Sequence, residues 1–274
     1  MDIHPTALVD DGAELGLGVQ IGPYCVIGPK VKIGANCRLH AHVVVLGRTT
    51  LGPDCELFPF VVLGTTPQDK KLSGDAGGSL VIGRANKLRE HVTIQGGTPF
   101  GSGTTTLGDN NMLLVGAHIG HDATVGSNIV FTNGAAAAGH TQIQDNTVLG
   151  AMVGIHQFAR VGRLSMIGAG AMVSRDAPPF SLVQGDRARI VGVNLIGLKR
   201  QGWTSEDVAT TKRAFRQLFW RSDPLAARVE SVRAQFGEHP AVREILAFMA
   251  DSRRGVCRPR GKLEVSAERD AVEE

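Results

Sequence analysis

One aliphatic residue every six positions constrains this chain more than any other feature. Stepping by six from Ile3 gives Ile3, Val9, Leu15, Ile21, Ile27, Ile33, Leu39, Val45, Leu51, Leu57 and Leu63. The frame breaks and resumes at Ile82, Leu88 and Ile94, then at Leu107, Leu113, Ile119, Val125, Phe131, Ala137, Ile143, Leu149, Ile155, Val161, Ile167 and Val173, with no polar exception. Gly often follows the aliphatic residue, as at Gly16, Gly22, Gly28 and Gly34, and the slot two before it is small (Ala7, Ala13, Val19, Cys25, Val31, Cys37). A period of six with one inward residue is the signature of a parallel β-helix: three hexads, about eighteen residues, close one triangular coil. Successive coils stack at the ~4.8 Å strand spacing. A β-sandwich would show period two and is excluded by the unbroken period of six.

The two breaks are insertions, at about 69–81 (with Lys70, Lys71, Ser73, Gly74, Asp75, Gly77 and Gly78) and about 100–106. In a solenoid such insertions project from one face, often the binding face. The β-helix is expected over residues 1–180. A C-terminal unit follows over 181–252: an irregular segment to about 203, then three helices, capped at Thr204 or Ser205, Pro224 and His239-Pro240. Residues 253–274 form a charged tail without periodicity, expected to fray.

A chain of 274 residues that is 42% hydrophobic can bury a sizeable core. Its 35 glycines and 5% aromatics suit tightly turning β-structure. The net charge of +3 gives no argument for nucleic acid. No apolar run reaches the ~20 residues of a bilayer span, and Met1-Asp2-Ile3-His4 lacks the basic and apolar regions of a signal peptide. A cytoplasmic location without membrane insertion is expected. Cys25, Cys37 and Cys55 fall on one small-residue slot, which reads as reduced packing residues.

Against this aliphatic frame stands Val115-Gly116-Ala117-His118-Ile119-Gly120-His121-Asp122. One coil beyond His121 comes Gly139-His140, and two coils beyond come His156 and Gln157. The arithmetic places His118, His121, His140 and His156 near one edge, over roughly 10 Å of axis. Two chemistries compete for such a cluster. Three neutral imidazoles can bind zinc, or one imidazole can be a general base oriented by its neighbours. His121 is followed at once by Asp122, which would fix its tautomer, and neither Cys nor a second carboxylate converges on the edge. The base is favoured, with no metal and no cofactor. A lone base without a nucleophilic side chain suits an acyl donor that is already activated. A thioester expels a thiol of pKa ~8.5, the acceptor hydroxyl loses its proton to His121, and a backbone N–H such as that of Gly139 steadies the oxyanion.

These motifs, together with Gln68-Asp69, Lys71, Arg89-Glu90, Ile155-His156-Gln157-Phe158, Gln184-Gly185 and Gly192-Val193-Asn194-Leu195-Ile196-Gly197-Leu198-Lys199-Arg200, resemble the UDP-N-acetylglucosamine O-acyltransferases of lipid A biosynthesis over about residues 3–252. The resemblance implies a mainly β fold: a left-handed parallel β-helix of hexapeptide repeats followed by a C-terminal α-helical domain, assembled as a homotrimer with active sites between subunits. Left-handed crossovers run against the general rule for parallel strands, and the resemblance alone implies them. It implies transfer of a 3-hydroxyacyl or acyl chain from acyl carrier protein to the sugar 3-hydroxyl of UDP-N-acetylglucosamine. His121 matches the base, Asp122 its partner and Gly139 the oxyanion donor. Asp69, Lys71, His118, His140, His156, Gln157, Asn194 and Arg200 match residues that contact the nucleotide sugar or acyl group. Ala169 matches the residue that limits chain length, on the expectation that the chain lies along the His121 edge. Lys199 and Arg200 are candidates for docking the carrier.

The chain departs from the family's pattern at Gln95 and Gly96, at Arg187, where some members have a His near the uracil, and at Ile196 and Gln201, which leaves open the details of the uridine and carrier-protein contacts and an acceptor that is the 3-amino analogue of the sugar. The related N-acyltransferases carry a uridine-binding domain before their coils, whereas here hexads begin at Ile3. A γ-type carbonic anhydrase, a zinc enzyme on the same kind of β-helix, leaves the helices and Lys199-Arg200 without a role. A non-catalytic scaffold leaves His121-Asp122 and Gly139-His140 without one.

Overall fold

The structure is a computed structural model that describes residues 2–72 and 77–261. Its first two-thirds is a left-handed parallel β-helix. Each hexad gives a strand of two to four residues, and three parallel sheets form the walls of a prism. For convenience the walls are A, B and C in the order the chain visits them.

The periodic aliphatic residues become three ladders in register. Ile21, Leu39, Leu57, Leu88, Leu113, Phe131, Leu149 and Ile167 stack on wall A. Ile27, Val45, Leu63, Ile94, Ile119, Ala137, Ile155 and Val173 stack on wall B. Ile33, Leu51, Ile82, Leu107, Val125, Ile143 and Val161 stack on wall C. All of these are buried. The two insertions leave the ladders intact, because strand Ser79–Ile82 re-enters wall C beside Arg48–Leu51 and strand Thr104–Leu107 re-enters beside Ser79–Ile82. Cys25, Cys37 and Cys55 are free thiols in the small slot, and Cys37 and Cys55 donate to the carbonyls of Gly52 and Gly83.

Between walls the chain turns through a residue of positive φ three places after the ladder residue. Tyr24, Asn36, His42, Asp54, Phe60, Asp122, Asn128, His140, Asn146 and Phe158 occupy such positions, with φ between 57° and 66°. The residue just before this turn, two places after the ladder residue, contributes its carbonyl to the next coil, while its amide takes no part in the backbone ladder and at Arg84, Asp109, Ser127 and Arg163 donates to a side chain instead. Asn36, His140 and Phe158 donate to the carbonyls of Leu17, His121 and Gly139. Pro5, Pro23, Pro29, Pro53 and Pro59 all sit in this slot, which shows that its N–H is dispensable to the fold.

The expectation of an irregular 181–203 is corrected. Ser181–Gln184 continues wall A through Val183 over Ile167, and Arg189–Val193 pairs back antiparallel to it. The hexad frame ends at Val173, so this hairpin carries no periodic signal. A short helix, α1 (Leu195–Arg200), follows, then α2 (Ser205–Trp220), α3 (Leu225–Phe236) and α4 (Pro240–Ala250). The three longer helices begin where the caps predict. Thr204 and Asp207 form a reciprocal capping box, and Pro240 opens α4 after His239. Helix α4 packs on the coils through Arg163–Glu244, at 2.8 Å, and Arg160 over the Phe248 ring.

The frayed tail also needs correction. Residues 253–261 are packed: Cys257 is buried, Val256 bridges Asp176, and Pro259 bridges Ile190. Backbone groups left over at the end of the solenoid hold this segment in place, and two isolated bridges are too short to show as a period. Residues 262–274 of the expected tail, and Ser73, Gly74 and Asp75 of the first insertion, lie outside the described residues.

Candidate active site

His121 and Asp122 follow strand His118–Ile119 at the corner between walls B and C. The ladder residue Ile119 points inward, so the next residues make the turn, with Asp122 in the positive-φ position. Both side chains are nearly inaccessible, at 4% and 5%. The Asp122 carboxylate accepts hydrogen bonds from five donors: Thr98 N–H, Thr98 Oγ1, Ser102 Oγ, Gly103 N–H and His121 Nδ1 at 2.8 Å. Burial alone would raise its pKa, but the hydrogen bonds from His121, Thr98 and Ser102 outweigh burial and hold the carboxyl below its ordinary range. An ionised carboxylate can only accept, so His121 Nδ1 carries the proton and Nε2 presents its lone pair. Two of the five donors, Ser102 and Gly103, come from the second insertion, and two more come from Thr98 just before it. They were missed in the sequence because a hydrogen-bonding cradle has no period, and its one visible sign is the frame break itself.

Gly139 lies one coil above His121 in the same slot. A Cβ built on it would stand 2.6 Å from His121 Nε2 and 2.7 Å from Cε1. The position takes glycine because the imidazole packs directly on the backbone, not because of an unusual φ. Its N–H has no acceptor among the described residues. A free amide therefore lies beside the basic nitrogen.

His140 sits over His121 edge to face, with ring centroids 5.0 Å apart, and stacks on Phe158 at 4.5 Å. His118 is corrected from the edge to the outer face of wall B, where its Nδ1 lies 2.8 Å from Thr93 Oγ1. Burial pushes its pKa down, and the neighbouring His121 adds to the effect. The expectation that no second carboxylate converges on the edge is corrected: Asp69, carried in by the first insertion, brings a carboxylate oxygen to 3.9 Å from His121 Nε2, too long for a hydrogen bond. The Lys71 N–H donates to Asp69 Oδ1 and closes that turn. Gln95, which is only a departure from pattern in the sequence, is 4% exposed, and its Oε1 accepts from the Gln68 N–H next to Asp69. It fixes the root of the loop.

The remaining residues stand apart. His156 and Gln157 are exposed on the next rung, the His156 ring turned to the Gln157 carbonyl. Asn194 caps α1 through Oδ1 and donates to the Leu164 carbonyl at the corner between walls C and A. Arg200 is exposed at the end of α1. One protomer does not bring these two to His121. Ala169 is exposed where the chain passes from wall A to wall B, so it is not on the His121 edge. The two positions flank opposite sides of wall B, whose outer face between them carries His118, Ala136, Gly154 and Met172 on successive rungs. Met172 lies across Gly154, its sulfur 2.7 Å from where a Cβ would stand.

His121, Asp122 and His140 offer potential ligand atoms within 4.8 Å of one another. Five donors already engage Asp122, and His121 Nδ1 is one of them. The pattern is that of an oriented imidazole rather than a ligand set.

Comparison with known proteins points to one family. A family model described as UDP N-acetylglucosamine O-acyltransferase, domain 2, matches residues 176–257, and one described as bacterial transferase hexapeptide (six repeats) matches 12–47. The acyl-[acyl-carrier-protein]–UDP-N-acetylglucosamine O-acyltransferase of Thermodesulfovibrio yellowstonii is 40% identical over 257 residues, covering 94% of this chain and 99% of the relative. That of Verminephrobacter eiseniae is 41% identical over 261 residues, covering 94% and 99%. The UDP-N-acetylglucosamine acyltransferase structure from Francisella novicida superposes with a TM-score of 0.91 at 34% identity, covering 94% of this chain and 95% of that one.

Proposed function

The chain belongs to the UDP-N-acetylglucosamine O-acyltransferase family, and we propose that it moves an acyl or 3-hydroxyacyl group from acyl carrier protein to the 3-hydroxyl of UDP-N-acetylglucosamine, with His121 as the base. Nε2 takes the hydroxyl proton while Asp122 holds Nδ1–H and balances the imidazolium. The freed oxygen attacks the thioester carbonyl, and the tetrahedral oxyanion accepts from the Gly139 N–H. Collapse expels the carrier thiolate, which takes the proton back from His121. No cofactor enters, because the thioester is already activated. The observation that carries this reading is an imidazole held by Asp122 at Nδ1, with its Nε2 packed on the Gly139 backbone, whose amide has no acceptor among the described residues. The chemistry of the edge is that of a base beside an oxyanion donor, which disfavours the zinc-hydratase reading.

In this reading Asp69 and the backbone shaped by Lys71 face the sugar, His118 and His140 line the reacting groups, and the acyl chain runs across wall B toward Ala169. Gln157, His156, Asn194 and Arg200 serve a site completed by a neighbouring subunit. A homotrimer is supported by the outer face of wall A, where Met112, Val130, Val148 and Met166 replace the Gln20, Arg38 and Glu56 of the first coils. No helix of the described residues is long and apolar enough to cross a membrane; this and the four free thiols support a cytoplasmic enzyme.

The test uses purified protein, UDP-N-acetylglucosamine and acyl carrier protein loaded with chains of graded length. His121→Ala should lower turnover by about 10²–10⁴ with the fold and assembly intact. Ala169→Met should shift preference toward shorter donors. Turnover near wild type in His121→Ala removes the base from the mechanism, and a uniform change across lengths removes Ala169 from the groove.

A further inference from the structure

The loop that closes over Asp122 holds a buried carboxylate without a counter-ion of its own, since residues 96–106 carry no charged side chain. Its donors divide unevenly between the two carboxylate oxygens. Oδ1 accepts from the Gly103 N–H at 2.9 Å and from Ser102 Oγ at 3.1 Å. Oδ2 accepts from His121 Nδ1 at 2.8 Å and from Thr98 Oγ1 at 2.7 Å. The Thr98 N–H lies 3.1 Å from both oxygens. The Thr98 hydroxyl therefore competes with the imidazole for one oxygen.

Backbone packing fixes the loop in that place. A Cβ at Gly78 or Gly97 would run into the Gly103 backbone, so the two insertions meet through glycines. The Gly78 N–H donates to the Gly97 carbonyl and the Ser79 N–H to the Gly103 carbonyl. At Gly101 a Cβ would stand 2.5 Å from Asp122 Oδ2, so the chain passes directly over the carboxylate. Thr98 is wholly buried. A valine there keeps the shape of the side chain and leaves no room for a water in place of the hydroxyl.

An oxygen that accepts a short hydroxyl bond offers less electron density to Nδ1–H. Asp122 favours the imidazolium, and the Thr98 hydroxyl limits how strongly. Burial raises the proton affinity of Asp122, and the bonds from His121 and Thr98 offset it. Losing the hydroxyl lets the His121–Asp122 pair keep a proton to higher pH, whichever partner carries it. A base already protonated cannot take the acceptor's proton. Three other titratable groups face the pair. The Asp69 carboxylate is 3.9 Å from His121 Nε2, His140 Nε2 is 3.9 Å from Asp122 Oδ2, and His118 neighbours His121 on its own strand. Among the described residues none of the three bonds to Thr98.

We propose that Thr98 is a positioning residue for the base: by sharing Oδ2 with His121 Nδ1, its hydroxyl keeps Nε2 free of a proton to lower pH than the two-residue pair would reach alone. This role rests on the acyltransferase reading above and deepens it by naming what sets the working pH of the base.

The experiment measures kcat/KM for UDP-N-acetylglucosamine against pH, at saturating acyl donor, in wild type, Thr98→Val and Thr98→Ser. In Thr98→Val the acidic limb should move up by about one pH unit. In Thr98→Ser, which keeps the hydroxyl, the limb should stay with wild type. A valine variant whose plateau falls while its limb stays in place shows a merely structural residue and overturns the proposal. A limb that moves down, or moves equally in both variants, overturns it as well. Should melting show that Thr98→Val does not fold, Thr98→Ala also lacks the hydroxyl and carries the same reading. Nitrogen-15 spectra of labelled histidine follow the pair in the free protein, without turnover. The pair should take up its proton at higher pH in Thr98→Val than in wild type, and equal midpoints overturn the proposal. A wild type that shows this difference from its variant yet transfers no acyl group would overturn the acyltransferase reading and leave the role of Thr98 standing.

Discussion

Replacing Gly139 by alanine tests the site with one methyl group. The added Cβ would stand 2.6 Å from His121 Nε2, 2.7 Å from Cε1 and 3.1 Å from Cδ2. Ordinary contact is about 3.5 Å or more, so the ring must withdraw by nearly an ångström. It has little room. Nδ1 is held at 2.8 Å by Asp122, His140 packs at right angles to the ring with centroids 5.0 Å apart, and the residue is almost wholly buried. Overpacking of this kind costs about 1–3 kcal/mol, which for a chain this long lowers Tm by roughly 2–4 °C per kcal/mol. The effect on chemistry should be larger. The methyl group covers the basic nitrogen or breaks its bond to Asp122, and either removes the general base, worth about 10²–10⁴ in rate. The alanine still has its N–H, so the loss reports on the base and not on the oxyanion donor. Measuring kcat with saturating donor and acceptor, alongside thermal melting, separates the two effects. A double-mutant cycle sharpens the result. In a His121→Ala background Gly139→Ala should cost almost nothing more in rate, because the group it obstructs is gone. A Gly139→Ala enzyme within about threefold of wild type, or a full second loss in the double mutant, would refute the placement of the base.

Two further outcomes follow from neighbouring groups. Gln95→Met removes the acceptor for the Gln68 N–H while roughly keeping volume, so the loop bearing Asp69 should loosen. KM for the sugar nucleotide is expected to rise about tenfold with kcat within about threefold, and a fall in kcat at unchanged KM would contradict a positioning role. His118 has a folded pKa below its unfolded value of ~6.5, so the unfolded chain takes up the proton first as pH falls. Stability is therefore lost as pH drops from about 6.5 through the lower folded value. His118→Gln should show a smaller fall in Tm between pH 7 and pH 5.5 than wild type, and an equal fall would assign the slope to other groups.

The solenoid was legible because its core repeats one physical demand, an inward aliphatic residue on every rung, from Ile21 to Val173. Counting coils also put Gly139 and His140 over His121, since a regular coil turns sequence distance into position. The count failed where the coil is not the reference. His118 belongs to a strand face and not to the turn. Ala169 is not a whole number of coils from His121 and so lies across wall B. The cradle of Thr98, Ser102 and Gly103, and the link from Gln95 to Gln68, join segments through insertions of arbitrary length, which no period can register. The hairpin at 181–193 and the strap at 256–260 are held by pairing to leftover edges, so their partners, not their own residues, define them.

The dispensable amide of the slot that precedes each turn bears on how such a protein can change. Neither the side chain nor the N–H at this position is required by the ladder, as the five prolines there demonstrate. Proline, leucine, alanine, histidine, glycine, glutamine and arginine all occupy it on different rungs. Histidine on one rung and glycine on the next make the candidate reaction centre. The residues that perform chemistry are thus drawn from a slot where the ladder itself requires neither a particular side chain nor the N–H. Adaptation of the reaction can proceed rung by rung without the loss of robustness that usually accompanies a retuned active site.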